Sequence, residues 1–410
     1  MKKSALLIIF LVVFIDLVGF GIVIPILPYY AKEYGASAFQ LGWLMAIYSV
    51  MQFLVAPLWG KISDQFGRRP VLLVSILGTA FSMMLLGLAG NLKWLFIARF
   101  LAGTCGANIS TAYAYIADVT PEDQRARGMG LIGAGFGLGF IFGPAIGGVL
   151  SRWGFSFPMY AGALLALCNF FFALVKLEEP KLSIKEREAN RSKRFSLEAI
   201  GTAMADRRTR FATLIFFLST LAIAQMETTF AIFMAHRFGY DAQPAGFVLA
   251  LMGIIMATIQ GGLIGKLAKR FGEYNLIVMG ALLCAVGLGL FPVLPTAFFV
   301  ILSLCIMSVG NGILNPSLSS LASLGASPRQ KGLVMGVYQS ASSLARVLGP
   351  LVAGWLYDRI SIRAPFFAAA ILFVLAFTVA AVFRKLTGPR RPAVEPVKST
   401  NAGLEPASKY

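Results

Sequence analysis

Four ionisable side chains lie inside long apolar runs: Asp16, Arg99, Glu227 and Arg346. Charge at membrane depth is costly, and where it is kept it usually marks an ion pathway, a proton relay or a buried pair. A carboxylate withdrawn from water holds its proton more tightly, and a neighbouring guanidinium has the opposite effect. Asp16 and Glu227 therefore read as proton-binding groups, and Arg99 as a cation whose approach or withdrawal would switch Asp16. Fixed ion pairs, Asp16 with Arg99 and Glu227 with Arg346, are the plainer alternative. Asp16 stands near mid-bilayer, roughly 16 Å along a helix rising 1.5 Å per residue. Ser110 and Tyr113 share a helical face with Arg99, and Ser308, Asn311, Asn315 and Ser319 form a stripe on another run. With Gln225 and Arg346 these are candidates to line a water-filled cavity, and hydrogen-bonded helix packing is the alternative for each.

Twelve helices are needed to hold these groups. A membrane-crossing helix takes roughly 20 apolar residues, and such runs lie near 5–31, 39–59, 71–89, 94–117, 128–150, 157–176, 210–235, 243–265, 275–294, 297–322, 332–356 and 364–383. The chain is 58% hydrophobic and 13% charged, against about a quarter charged in a soluble domain. An all-α integral membrane protein of 12 transmembrane helices follows. Lys2 and Lys3 precede the first run, but its length, its internal Asp16 and the lack of a small-residue cleavage site predict that it is retained.

Placing both termini in the cytoplasm puts 28 Lys and Arg on the cytoplasmic side and six outside: Lys32, Lys93, Arg152, Arg237, Arg359 and Arg363. With Arg99 and Arg346 these account for all 36. This positive-inside asymmetry explains the net charge of +18 through the lipid bilayer, with no role for nucleic acid. The expected location is the inner (cytoplasmic) membrane, multi-pass. Cys105, Cys168, Cys284 and Cys305 sit within the runs without paired or metal-ligand spacing, and the single histidine, His236, cannot make a metal site alone. No metal and no cofactor is expected. Enzyme and ATP-pump readings fail too: there is no H-E-x-x-H, and in GGLIGKL the phosphate-loop pattern is broken by Gln260 and Leu267. Two unequal halves and no repeated filter disfavour a channel.

The chain repeats itself at an offset of about 205 residues, pairing WGKISDQFGRRP with IGKLAKRFGEYN and FGPAIGGVL with LGPLVAGWL. The predicted organisation is a six-helix half over 1–176, a cytoplasmic linker over 177–209, a second half over 210–385 and a disordered tail over 386–410. Within the linker, FSLEAIGTAMA reads as a short amphipathic surface helix. Parallel six-span repeats with a path between them are one architecture of secondary transporters.

Three motifs carry a family resemblance. Gly60, Asp64, Gly67, Arg68 and Arg69 resemble the signature loop of the major facilitator superfamily, and Arg99 with Gly103 and Gly106 resembles its fourth-span motif. Gly135, Gly139, Gly143, Pro144, Gly147 and Gly148 resemble its antiporter motif. With the opening FIDLVGFGIVIPILPYY, residues 5–385 are similar to the twelve-span drug:proton antiporters, within them the tetracycline exporter group. The resemblance implies two six-helix halves related by a pseudo-two-fold axis, with spans five and eight meeting at the seam. It also implies a latch closing the cytoplasmic side, in which Asp64 meets the start of span eleven near Gly332 and Arg68 meets Asp118. Loop charge that merely prevents the loop from crossing is the alternative. In the second copy Lys269 stands where Asp64 would, which predicts a weaker latch.

From spacing alone, Gly135, Gly139, Gly143 and Gly147 line one helix face where backbones can approach closely. They either pack helices or form a seam on which halves slide, and Gly253, Ala257, Gly261 and Gly265 in span eight suit the same seam. The function these features imply is a proton-driven antiporter exporting small amphiphilic or drug-like compounds by alternating access. A proton-coupled symporter importing a nutrient is the alternative. Its partners are a small-molecule substrate, protons and lipid; the proton gradient is the energy source, and a monomer is expected. One departure stands out. Tetracycline exporters carry a histidine in span eight and acids in spans three and nine, whereas here Met256 lies near the histidine position and those two spans hold no acid.

Overall fold

The computed structural model describes residues 3–106, 108–120, 125–180, 201, 204–324 and 331–387. In the first half the helices are α1 (Lys3–Glu33), α2 (Ala38–Phe66), α3 (Arg68–Gly87), α4 (Leu92–Cys105), α5 (Asn108–Val119), α6 (Arg125–Leu150) and α7 (Ser156–Lys176). The second half contains α8 (Arg207–Phe238), α9 (Ala242–Thr258), α10 (Ile264–Phe271), α11 (Glu273–Leu290), α12 (Ala297–Leu324), α13 (Lys331–Arg359) and α14 (Ala364–Thr387). Lipid offers the backbone no hydrogen bonds, so apolar runs close theirs internally as helices. Polar residues mark the ends. Ser37 and Gln40 form a capping box on α2, Asp206 accepts from Arg208 and Thr209 N–H, and Asp241 caps α9.

Among the described residues ten helices are long and apolar enough to cross a membrane; α4 with α5, and α13, occupy the other two predicted spans. The chain is thus a multi-pass membrane protein, with residues such as Leu164 and Phe298 turned outward. Two spans predicted as continuous are interrupted. The fourth is divided after Cys105, where Gly106 caps α4. The eighth passes through a π-helical turn at Ile259–Leu263, a widened turn of the kind frequent at functional sites. The predicted surface helix in the linker falls almost wholly outside the described residues, as does the tail beyond 387.

Packing sorts the helices into two groups. In the first, α1 packs on α6 and α7, α3 on α4 and α7, and α2 on α4; in the second, α8 packs on α13 and α14, and α11 on α12 and α14. The groups meet along two seams, α6 with α9 and α2 with α13. Since α2 and α9 are repeat equivalents, as are α6 and α13, the seams are related by the internal symmetry.

Candidate functional site

Four of the antiporter-motif glycines, Gly135, Gly139, Gly143 and Gly147, do not lie in the seam between the halves. A Cβ at Gly139 would stand 2.9 Å from the Leu17 backbone, at Gly143 2.5 Å from Gly21 Cα, and at Gly147 2.8 Å from the Ile22 carbonyl, all on α1. The sliding-seam reading of this stripe is therefore corrected: it brings α1, and with it Asp16, against α6. The seam uses the next helical face. Pro144 and Gly148 lie under Gly246, and the Phe140 carbonyl under Gly253. One residue turns a helix by about 100°, so a four-residue stripe and its neighbour one position on face different partners.

Asp16 and Arg99 line one small cavity of about 40 Å³ with Tyr48, Thr79 and Ser82. That is room for a few waters at most, and the Thr79 hydroxyl at its wall has no protein partner. Arg99 is 4% exposed. Its guanidinium lies over the Tyr48 ring at 4.5 Å, and its Nε donates to the Leu44 carbonyl at 3.4 Å. Gly103, one turn on, lets α4 approach the Tyr48 backbone. Tyr48 is itself within electrostatic reach of Asp16, Arg99 and Arg346. On α13, Arg346 stands 3.7 Å from Glu227 of α8. The two couples thus sit on different helix pairs, Asp16 and Arg99 on α1 and α4 of the first half, Glu227 and Arg346 on α8 and α13 of the second.

The remaining cavity candidates are scattered. Asn315 donates to Asn311 at 3.0 Å, and Asn311 donates to the Met256 sulfur at 3.7 Å, tying α12 to α9. Gln225 is buried in α8 with its Oε1 unpartnered. Tyr113 packs against the first-half core around Ile9 and Tyr115. Ser110 lies in α5, but its side chain is outside the described residues. Among the described residues no cluster of metal-binding side chains occurs.

At the charged loop, Arg68 is the hub. Its Nε contacts Asp118 at 2.9 Å and its Nη1 reaches Asp64 at 2.6 Å and Ser63 at 2.6 Å. Gly67 takes φ 101°, a conformation in which a side chain would also strike the Glu179 carboxylate. That carboxylate accepts from the Arg68 and Arg69 N–H at 2.7 Å each, capping α3, while Arg69 donates to the Leu174 carbonyl. Asp64 is paired within its own loop, and a Cβ at Gly60 would meet nothing within 4 Å.

Tyr48 and Glu179 escaped the sequence reading. Nothing in the pattern around Tyr48 distinguishes it from a core aromatic, and Glu179 sits in a run assigned to the linker. Their only signal is indirect: Arg99 and the first amides of α3 both need partners.

The two ends of the molecule differ. At the end away from the charged loop both seams are tight, through Gly246 and Pro144 and through Gly42 and Pro350. At the loop end a Cβ on Gly133, Gly137, Gly261 or Gly265 would meet nothing within 4 Å, and α10 has no buried side chain. Helix pairs closed at one end and parted at the other are the geometry of a transporter open to one side. The family model of the Major Facilitator Superfamily matches residues 9–350 and 262–410. The chain belongs to the major facilitator superfamily. Its relatives include a class D tetracycline resistance protein of Salmonella ordonez, 33% identical over 88% of this chain and 91% of that protein. Multidrug resistance protein 2 of Bacillus subtilis (strain 168) is 28% identical over 94% and 96%. Among solved structures, the human organic anion transporter MFSD10 (TETRAN) aligns with a TM-score of 0.71 at 27% identity over 92% of this chain and 99% of that one. A bacterial homologue of the human lysosomal transporter Spinster, inward-facing and occupied, shares the fold with a TM-score of 0.78 at 15% identity over 96% and 99%.

Proposed function

We propose that this protein is a proton-driven antiporter that exports small amphiphilic or drug-like compounds by alternating access. Its tetracycline- and multidrug-resistance relatives support drug efflux. The observation that carries the coupling is the shared cavity of Asp16 and Arg99, walled by Tyr48. In this reading Asp16 takes up and releases the proton. Arg99 competes with the proton for the carboxylate, so a movement of α4 against α1 changes proton affinity and conformation together. Glu227 is a second proton or cation site. No cofactor is required, and the chain works as a monomer in the inner membrane with both termini cytoplasmic.

With that topology the open end faces the cytoplasm, where export must begin. Arg68, Asp64, Asp118 and Glu179 would then hold the loop as one rigid piece, so that it can act as a latch when the cytoplasmic side closes. Reconstitution into liposomes with an imposed pH gradient tests the function, following internal pH while a panel of amphiphilic cations is supplied. Antiport gives substrate-dependent proton movement opposite to the compound. Proton and compound moving together would establish the symporter instead.

A further inference from the structure

The tight end of each seam is finished by a residue at an equivalent place in the repeat. Asp358 and Arg152 each stand two residues beyond the paired segments LGPLVAGWL and FGPAIGGVL. Their contacts are unequal. Arg152 donates from Nε to the side chain of Gln243 at 2.5 Å. Asp358 accepts from two backbone amides across the seam, Ala38 N–H at 3.2 Å and Phe39 N–H at 2.8 Å. These are the first residues of α2, whose own cap Ser37 serves only the Gln40 amide.

First-turn amides have no partner inside their helix, and that end carries a positive partial charge. A carboxylate there is favourable; at the C-terminus of α13, its own helix, it is not. Asp358 is therefore placed for its neighbour. Beneath it the backbones touch, because a Cβ on Gly354 would strike Ala38 and Phe39 and one on Gly42 would strike Pro350. Both contacts are charge-assisted, but Asp358 makes two such bonds, to fixed backbone amides, where Arg152 makes one, to a side chain.

We infer that Asp358 is a positioning residue of the transport cycle: by capping α2 from the opposite half it holds the outer end of the α2–α13 seam closed. Both amides must be released before that end opens. The inference rests on the alternating-access reading above.

The test uses the full chain with its four cysteines replaced, in lipid nanodiscs, carrying nitroxides at Lys93→Cys and Thr296→Cys on the outer ends of the two halves. With Asp358 intact, the short outer distance dominates and a longer one responds to pH and substrate. Asp358→Ala shifts the long-to-short ratio roughly five-fold, the scale of one lost helix cap. Asp358→Asn, which keeps one acceptor oxygen, falls between and serves as the readout if the alanine variant does not fold. Transport per folded molecule, with the folded protein quantified in the same nanodisc sample, shows the same change as an altered turnover with KM unmoved; a change that merely tracks the amount of folded protein is loss of stability and counts against the inference. Unchanged distances in both variants overturn the inference. A parent chain with a single distance, indifferent to pH and substrate, removes alternation and the inference with it.

Discussion

In the first half Arg99 is 4% exposed, stacked on Tyr48 and bonded to a backbone carbonyl. In the second half Arg346 keeps 38% of its side chain exposed and faces Glu227, 17% exposed, across 3.7 Å. A desolvated guanidinium over an aromatic ring is held by about 2 kcal/mol. An ion pair at 3.7 Å is beyond hydrogen-bonding range, and with one partner partly exposed it is a weaker hold. The halves repeat the same sequence segments and helix packing, yet one fixes its arginine within its own packing and the other leaves it accessible. We read the first couple as the coupling device and the second as the group that meets substrate.

The largest effect is therefore expected at Asp16. Asp16→Asn keeps the shape and loses the proton, so the protein should insert and fold while the pH-driven component of uptake into inverted vesicles falls to background. Uptake that still follows the gradient would remove Asp16 from the mechanism and leave the comparison without its first term.

Next comes Glu227→Gln, which should raise KM for cationic compounds several-fold and alter the pH profile, with Arg346→Ala tolerated. If instead either single change destroys transport and the double change restores it, the two residues only neutralise each other. That rescue would make the second couple a fixed ion pair with no part in meeting substrate.

A smaller effect is expected at the ring between them. Tyr48→Phe keeps the face that Arg99 lies on and should transport like the parent, whereas Tyr48→Leu should slow turnover roughly ten-fold, the rate equivalent of about 1.4 kcal/mol. Initial rates of pH-driven uptake decide it, and equal rates for the two variants would detach the ring from coupling.

The sequence carried the charges in the spans and the repeat, because apolar length and intramembrane charge are local signals. Asp118 as the partner of Arg68 was legible through the family resemblance, and the structure places them 2.9 Å apart. What the sequence could not carry was direction around a helix axis. The four-residue glycine stripe fits the seam and the α1 contact equally well on paper, and only the rotation of α6 decides for α1. Tyr48 and Glu179 were hidden for a related reason. Their partners lie 51 and 111 positions away in the chain, and no periodicity links them.

The smallest effect expected is on tetracycline. The chain shares about a third of its residues with tetracycline resistance proteins, but the second half offers a chelated, metal-bound drug few partners. Near the position where those exporters carry a histidine stands Met256, whose sulfur already accepts from Asn311. The neighbouring α11 lacks an acid except Glu273 at its first residue, outside the predicted apolar core. A soft thioether and a loosely held Glu227–Arg346 pair suit amphiphilic cations better than a hard chelate. Expression in a strain stripped of its own efflux pumps should therefore leave tetracycline sensitivity nearly unchanged while protecting against lipophilic cations. Robust tetracycline protection that depends on Asp16 would show that the second half builds its drug site from other residues, and that the exposed couple is not where specificity lies.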